Sequence, residues 1–338
     1  MSNEMVHKLD KIIAVEEHVA FQHLMAKIPD SAAFERGYLT RDQPFGTSTF
    51  LEKLVDTQHR IELLDGAGIS RHVLSYPFCG ADLLPPAAAL AWAKEMNDCI
   101  SARVFANRDR YVGLAHLPLT DPEASADELE RAVRQLGLRG ALINGSTDGL
   151  YLDDPRFEPV LARAEELDVP LYLHPAPSSK PARDALYADL PGNLSFWISV
   201  SGWGWHTDTA VHVLRLMLNN CFEKHPGLKI VIGHLGEGLQ IMMDRLDQQF
   251  YSLAGLSDKP SEILRRQVWV STGGFFMNPS FLAALDAFGP DRLLFSVDYP
   301  WGSLDKGIEF LERLPVDKAT LDKIAYGNAE KLFKIFTD

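Results

Sequence analysis

An α/β fold, a single (β/α)8 (TIM) barrel spanning residues 1–338, is predicted by three features of the sequence. Short apolar runs rich in β-branched residues recur eight times along the chain. Amphipathic segments, with apolar residues at helical spacing, lie between them. No run is followed by a G-x-G-x-x-G or P-loop glycine pattern, which disfavours the alternative of an open, doubly wound sheet.

Strands covered by helices on one side and packed on the other read as near-continuous apolar runs, not as alternating ones. The first is KIIAV (11–15), which leads directly into Glu16, Glu17 and His18. RHVLSY (71–76) follows the segment DTQHRIELLDGAG, whose apolar face is Ile61, Leu63 and Leu64. RYVGLAHLP (110–118) and LRGALING (138–145) flank PEASADELERAVRQLG, a clear amphipathic helix. The next helix, DPRFEPVLARAEELD, starts with Asp154 as a cap and Pro155 at the first helical position, where its missing N–H costs nothing. VPLYLHP (169–175), LKIVIGHLG (228–236), VWVSTGG (268–274) and RLLFSVDYP (292–300) complete the set. Eight such units close most economically into a barrel. Two connections are oversized, residues 19–50 and 176–204, and both follow strand ends on the catalytic face, where long loops build lids or pocket walls.

A net charge of −13 argues against nucleic acid or an anionic membrane surface as a partner. There is no run of eighteen apolar residues, and MSNEMVHKLD has no apolar signal core, so a cytoplasmic protein is expected. Cys79, Cys99 and Cys221 stand far apart without a C-x-x-C, as reduced thiols do.

Barrel chemistry sits at the C-terminal ends of strands. Those ends carry Glu16 and His18, His174, His234 and Asp298. Side chains alternate along a strand, so Glu16 and His18 share the inward face and Glu17 points away. Singly, each has an ordinary explanation: a strand-end histidine is a hydrogen-bonded structural residue, and Asp298 before Pro300 is a cap. Converging on one ring, two imidazoles and two carboxylates make a good ligand set for a divalent cation such as Zn²⁺ or Mn²⁺.

Glu-x-His on strand one, YLHP, GHLGEGL and FSVDYPW together resemble the amidohydrolase-2 group of the amidohydrolase superfamily. Within it the sequence is most similar to the metal-dependent non-oxidative decarboxylases, a set that includes γ-resorcylate, 2,3-dihydroxybenzoate and 5-carboxyvanillate decarboxylases, and more distantly aminocarboxymuconate-semialdehyde decarboxylase. The likeness runs from Val15 to the terminal GNAEKLFKIF. It implies Glu16, His18, His174 and Asp298 as metal ligands, His234 as the active-site histidine and Glu237 as its orienting partner. Binuclear relatives carry a bridging lysine at the end of strand four. Here that strand ends LINGS, with Asn144, so one divalent ion per chain is expected, Mn²⁺, Zn²⁺ or Mg²⁺.

The implied reaction is decarboxylation of an ortho-hydroxybenzoate-type acid, a small aromatic carboxylic acid, with Asp298 as proton donor. A buried carboxyl with a raised pKa serves that role near neutrality. Arg60 matches a substrate-side arginine of the family, against the alternative of a surface charge. Arg245 matches one that reaches the neighbouring subunit's site, against an intrachain salt bridge to Asp244 or Asp247, and a homodimer or homotetramer is expected. Phe275 and Tyr299 are expected to line the substrate pocket, as is Trp301. Trp203 and Trp205 line either a pocket or a dimer interface. His206, His212 and His225, on or near the following helix, are assigned no chemistry. Two rival readings are a hydrolase or hydratase (lactonase-like) using metal-activated water, and a barrel that binds metal and ligand without turnover.

Overall fold

Each apolar run becomes a strand of one parallel barrel. The computed structural model describes residues 9–38 and 50–335. Its strands are β1 Ile13–His18, β2 Arg71–Ser75, β3 Tyr111–Gly113, β4 Ala115–His116, β5 Ala141–Asn144, β6 Pro170–His174, β7 Lys229–Ile232, β8 Val268–Ser271 and β9 Leu293–Leu294. Every pairing is parallel, in the orders β1-β2-β3 and β4 through β9. β3 and β4 are one predicted run divided at Leu114. The Leu114 N–H donates to Leu74 O at 2.9 Å, while the Ala115 N–H turns to Gly140 O at 2.8 Å. The barrel therefore has eight staves. It closes through Val15 N–H to Phe295 O at 3.0 Å and His18 N–H to Tyr299 O at 2.9 Å.

The interior is a packed core. Ile13, Val15, Val73, Leu142, Tyr172 and Val231 fill it, and the terminal helix Asn328–Phe333 closes its floor with Leu332 and Phe333. A second, larger apolar layer lies between the strands and the surrounding helices. The helix after β5 starts as its sequence requires: the Asp154 carboxylate accepts the Arg156 N–H at 3.1 Å, with Pro155 inside the first turn.

β1 departs from regular alternation. Ala14 pairs with His72 and Glu17 with Leu74, three residues against two, so β1 carries one extra residue between these points. Such a bulge re-aims the side chains that follow it. Val15 and Glu16, consecutive in sequence, consequently both face the barrel interior.

Apart from an isolated parallel bridge from Tyr299 to Glu17, the run 292–300 forms a continuous strand only over Leu293–Leu294. Beyond it, the N–H groups of Val297 and Tyr299 donate to the Glu17 carboxylate, and Asp298 takes a left-handed backbone at φ 64°. The chain leaves the sheet there. Likewise β7 ends at Ile232, and His234 lies in the turn beyond it.

The 176–204 insertion holds two short helices, Lys180–Tyr187 and Leu194–Ser199, and the 19–50 insertion starts with Gln22–Met25 and Asp30–Arg36. Arg183 joins them, donating to Arg36 O at 2.9 Å and Glu35 O at 2.8 Å. Residues 39–49 of the first insertion lie outside the described residues. No described helix is long and apolar enough to cross a membrane.

Candidate metal centre and active site

Four of the strand-end residues meet at the C-terminal mouth of the barrel. Glu16, His18, His174 and Asp298 each offer a ligand atom, and these atoms lie within 4.8 Å of one another. Each is held by its surroundings. His18 Nδ1 is 3.1 Å from Ser75 Oγ, and its Nε2 is 3.1 Å from Asp298 Oδ1. Glu16 Oε2 accepts from the Tyr172 hydroxyl at 2.7 Å and the Ser271 hydroxyl at 2.9 Å. Glycines make room for that carboxylate, since a Cβ at Gly233 would come within 2.8 Å of it, and one at Gly273 within 2.9 Å.

Glu16 Oε1 is different. It is buried with no hydrogen-bond partner among the described residues, 4.0 Å from His174 Nε2; His174 Nδ1 is also unpartnered. A buried polar atom left so costs on the order of 1–3 kcal/mol. A divalent cation between these side chains would satisfy Glu16 Oε1 directly, and oxygen with imidazole nitrogen is a donor set that Mn²⁺ or Zn²⁺ accepts. The residues fit a metal.

Electrostatics sort the four groups into different roles. Burial holds His18 neutral, lowering its pKa to about 4, and His174 to about 3, so both keep a nitrogen lone pair for a cation. Burial opposes ionisation of Glu16 as well, but the charge of His234 and the hydrogen bond from Tyr172 favour it, and its pKa is lowered. Asp298 goes the other way. Burial and the facing Glu16 carboxylate push its pKa well above the usual range.

Glu17 points away from this ring, yet it has a task. It accepts the Val297 N–H at 2.7 Å and the Tyr299 N–H at 2.9 Å, bracketing Asp298 and fixing the turn that presents it. Burial pushes Glu17 up to about 8 against the pull of those two N–H groups.

Beside the ring stands a second cluster. The Glu237 carboxylate lies 2.7 Å from His234 Nδ1 through Oε1 and 2.7 Å from His206 Nδ1 through Oε2. The turn from His234 to Gly238 is left-handed at five consecutive residues, three of them not glycine. Each non-glycine residue in that conformation costs roughly 1–2 kcal/mol, so the turn persists only because its side chains are tied down. Burial would lower the His234 pKa, but Glu237 and then Glu16 raise it to about 10. Glu237 is lowered to about 2, His234 and His206 outweighing burial. His206, assigned no chemistry from the sequence, belongs to this cluster. The signal that could have revealed it is its place at the close of a catalytic-face insertion.

The remaining expectations divide. Phe275 is 43% exposed with its ring 5.1 Å from that of His234, beside the site. Arg60 is not the surface charge of its alternative reading. Its guanidinium is buried behind β1, donating to His18 O at 2.6 Å and Lys53 O at 3.1 Å. Tyr299 is buried as well. The left-handed residue before it turns its ring behind β1, only 6% exposed, with the Arg60 guanidinium 4.7 Å above it. The aromatic beside the ligand ring is Trp301, 5.5 Å from His18 and 39% exposed. Arg245 is exposed on the helix Met243–Phe250 and has no ion pair or hydrogen bond among the described residues. Asp244 and Asp247, its expected intrachain partners, accept instead from Gln248 and Ser261. Asn144 directs its amide to the carbonyls of Tyr76 and Phe78.

Comparison with known proteins places this geometry in context. A family model described as Amidohydrolase matches residues 68–335. A γ-resorcylate decarboxylase of Rhizobium sp. (strain MTP-10005) is 33% identical over 336 residues, 96% of this chain and 98% of that protein. Among solved structures, a dihydroxybenzoic acid decarboxylase from Polaromonas sp. JS666 holds manganese and the inhibitor 2-nitroresorcinol. It is 32% identical, with 98% of each chain covered and a TM-score of 0.83. A 5-carboxyvanillate decarboxylase from Novosphingobium aromaticivorans DSM 12444, complexed with manganese and 4-hydroxy-3-methoxy-5-nitrobenzoic acid, is 28% identical. The two chains match over 99% of each with a TM-score of 0.87.

Proposed function

The chain belongs to the amidohydrolase family, and we propose that within it this protein is a metal-dependent, non-oxidative decarboxylase of an ortho-hydroxybenzoate-type acid. The enzyme class is then a carbon–carbon lyase, as for its relatives. The observation that carries the reading is the convergence of Glu16, His18, His174 and Asp298, with the Asp298 carboxyl facing the mouth beside His234 and Phe275.

The side chains divide the work. Glu16, His18, His174 and Asp298 would hold one Mn²⁺ or Zn²⁺, which supplies Lewis-acid neutralisation of a substrate carboxylate and an adjacent phenolate oxygen. Asp298 gives its carboxyl proton to the ring carbon that bears the carboxylate. The bond from that carbon to the carboxylate breaks, its electron pair returns to the ring, and carbon dioxide leaves. Asp298 regains a proton from solvent. His234, kept protonated by Glu237, donates to a substrate oxygen, and Phe275 packs the ring. Trp301 walls the opposite side, against His18. No oxidant is consumed.

The hydrolase or hydratase reading asks His234 to take a proton from water. The full-length likeness to decarboxylases, over 96% of the chain, favours decarboxylation. The deciding experiment supplies carboxyl-labelled hydroxybenzoates and, separately, a lactone. Release of labelled carbon dioxide is expected, and hydrolysis of the lactone alone would transfer the assignment.

Elemental analysis of active protein is expected to find one divalent ion per chain, and Glu16→Gln to weaken its binding about tenfold or more. Two ions per chain, or full activity without metal, would count against the ligand set.

Arg245 acts, on this reading, in the partner subunit's site. Its exposure and its lack of a partner among the described residues support that role, and bidentate pairing with a carboxylate is the chemistry it offers. Mixing an Arg245→Ala chain with a His234→Asn chain should then rebuild one whole site per mixed dimer and recover activity. Verified hetero-oligomers without activity would return Arg245 to its own chain.

A further inference from the structure

We propose that His206 is a positioning residue for His234, acting through Glu237, and that it fastens the 176–204 insertion to the turn carrying the active-site imidazole. The kinetic part of this proposal rests on the decarboxylase reading; the structural part does not.

A carboxylate gripped at one oxygen still rotates about its own side chain. Glu237 is gripped at both, by His234 Nδ1 and His206 Nδ1, each at 2.7 Å, with the two imidazole rings 4.5 Å apart at 71°. Two fixed donors define the plane of the carboxylate, and that plane sets the direction of the His234 ring. The other nitrogen of His234 is thereby held in one direction rather than left to turn.

His206 itself is anchored within the chain. Its side chain is 14% exposed, its Nε2 lies 3.2 Å from the Trp205 indole nitrogen, and the Ser201 carbonyl is 3.1 Å from the same atom. As a neutral ring protonated at Nδ1, it accepts the indole N–H at Nε2. As an imidazolium, it donates from Nε2 to the Ser201 carbonyl. In both states Nδ1 carries a proton and donates to Glu237. With both nitrogens engaged inside the protein, His206 has none left for substrate, which makes it a positioning residue rather than a catalytic one.

Its place in the chain gives this contact mechanical weight. His206 lies in the first turn of the helix Gly204–Leu218, directly after the insertion, whereas Glu237 and His234 sit in the left-handed turn after β7. The bond from His206 joins it to an element that is 28 residues away from His234 in sequence and is itself anchored through Trp205 and Ser201.

The test combines imidazole nitrogen NMR with kinetics on ¹⁵N-histidine protein loaded with diamagnetic Zn²⁺. In the unaltered protein, His206 and His234 should both be protonated at Nδ1, each with a slowly exchanging proton. His206→Phe fills the space without a donor and should lose the slowly exchanging His234 proton. Its kcat should fall about 10- to 100-fold with KM held within about threefold. His206→Asn places an amide donor where Nδ1 stood and should restore both the signal and most of kcat. Bound metal should be unchanged in both variants. The proposal is overturned by a neutral Nε2-protonated His206 in the unaltered protein, by a His206→Phe variant that keeps kcat and the signal, or by a His206→Asn variant no better than it. Loss of metal from either variant would also overturn it, by making His206 a metal-site residue. If no hydroxybenzoate is turned over, the decarboxylase reading falls and the NMR comparison alone decides His206.

Discussion

Asp298→Asn is expected to lower kcat by about 10²- to 10⁴-fold while the protein stays folded and keeps part of its metal. The amide has nearly the shape of the carboxyl and can still offer an oxygen to a cation, but it has no acidic proton to give to a ring carbon. The pH profile separates this from loss of metal. On the proposed mechanism Asp298 works as an acid, so its protonated form is the active one, and rate is lost as pH rises through its pKa. Burial and the Glu16 carboxylate push that pKa up, whereas a bound cation pulls it down, so the pH at which this limb falls reports which of the two prevails. In Asp298→Asn the limb belonging to this group should vanish from the profile of the residual rate. A variant that recovers full kcat on adding excess Mn²⁺ would reduce Asp298 to a metal ligand. Retention of the same pH limb would assign the proton to another group.

The barrel and the cluster of candidate ligands at its mouth were legible because both depend on periodicity. Near-continuous apolar runs mark the staves, and the residue ending each stave has to face the mouth, which is how Glu16, His18, His174 and Asp298 could be picked out before any contact was known. The limits of that reasoning have equally physical causes. Alternation cannot reveal an inserted residue, so the bulge that turns both Val15 and Glu16 inward had no sequence signature. Adjacency does not fix direction after a left-handed residue, so Tyr299, next to Asp298, lies behind β1 while Trp301 borders the site. Arg60 reads as a charge on a helix, and only the packing of that helix against β1 buries it beneath the His18 carbonyl. His206 is the instructive omission. It ends no strand, and its role comes from a carboxylate whose second oxygen no local pattern could show to be free.

Glu17 extends the same point to how the acid is presented. It lies on the face of β1 opposite the ligand ring, yet its carboxylate accepts the N–H groups on both sides of Asp298. The Glu-Glu-His tripeptide therefore supplies two proposed ligands and, between them, the residue that holds the loop bearing the proton donor. Three consecutive side chains at the end of one strand organise both halves of the site, which accounts for acidic residues so close to a buried apolar run.

An ortho hydroxyl beside the carboxylate should be required for turnover, with the meta and para isomers slower by on the order of a thousandfold or more. If the cation held by Glu16, His18, His174 and Asp298 is to engage a carboxylate and a phenolate oxygen together, those two groups must be adjacent on the ring. Moving the hydroxyl preserves molecular volume and net charge, so a fall in rate reports its position on the ring and not size or charge. The same adjacency serves the chemistry, because an ortho oxygen donates electron density to the carbon that Asp298 protonates. A para oxygen donates there as well but cannot reach the cation, and a meta oxygen does neither. Comparing 2-, 3- and 4-hydroxybenzoate at equal concentration, with Mn²⁺ and with Zn²⁺, therefore separates the two contributions. Activity on 2-hydroxybenzoate alone supports chelation together with activation. Comparable turnover of 2- and 4-hydroxybenzoate would leave ring activation as the whole effect and remove the two-point contact. Turnover of 3-hydroxybenzoate at a similar rate would remove both. Extending the series to 2,3- and 2,6-dihydroxybenzoate then tests the opposite wall. A second ortho hydroxyl lies on the far side of the carboxylate, where a protonated His234 could donate to it, so 2,6-dihydroxybenzoate should outpace 2-hydroxybenzoate and lose that advantage in His234→Asn.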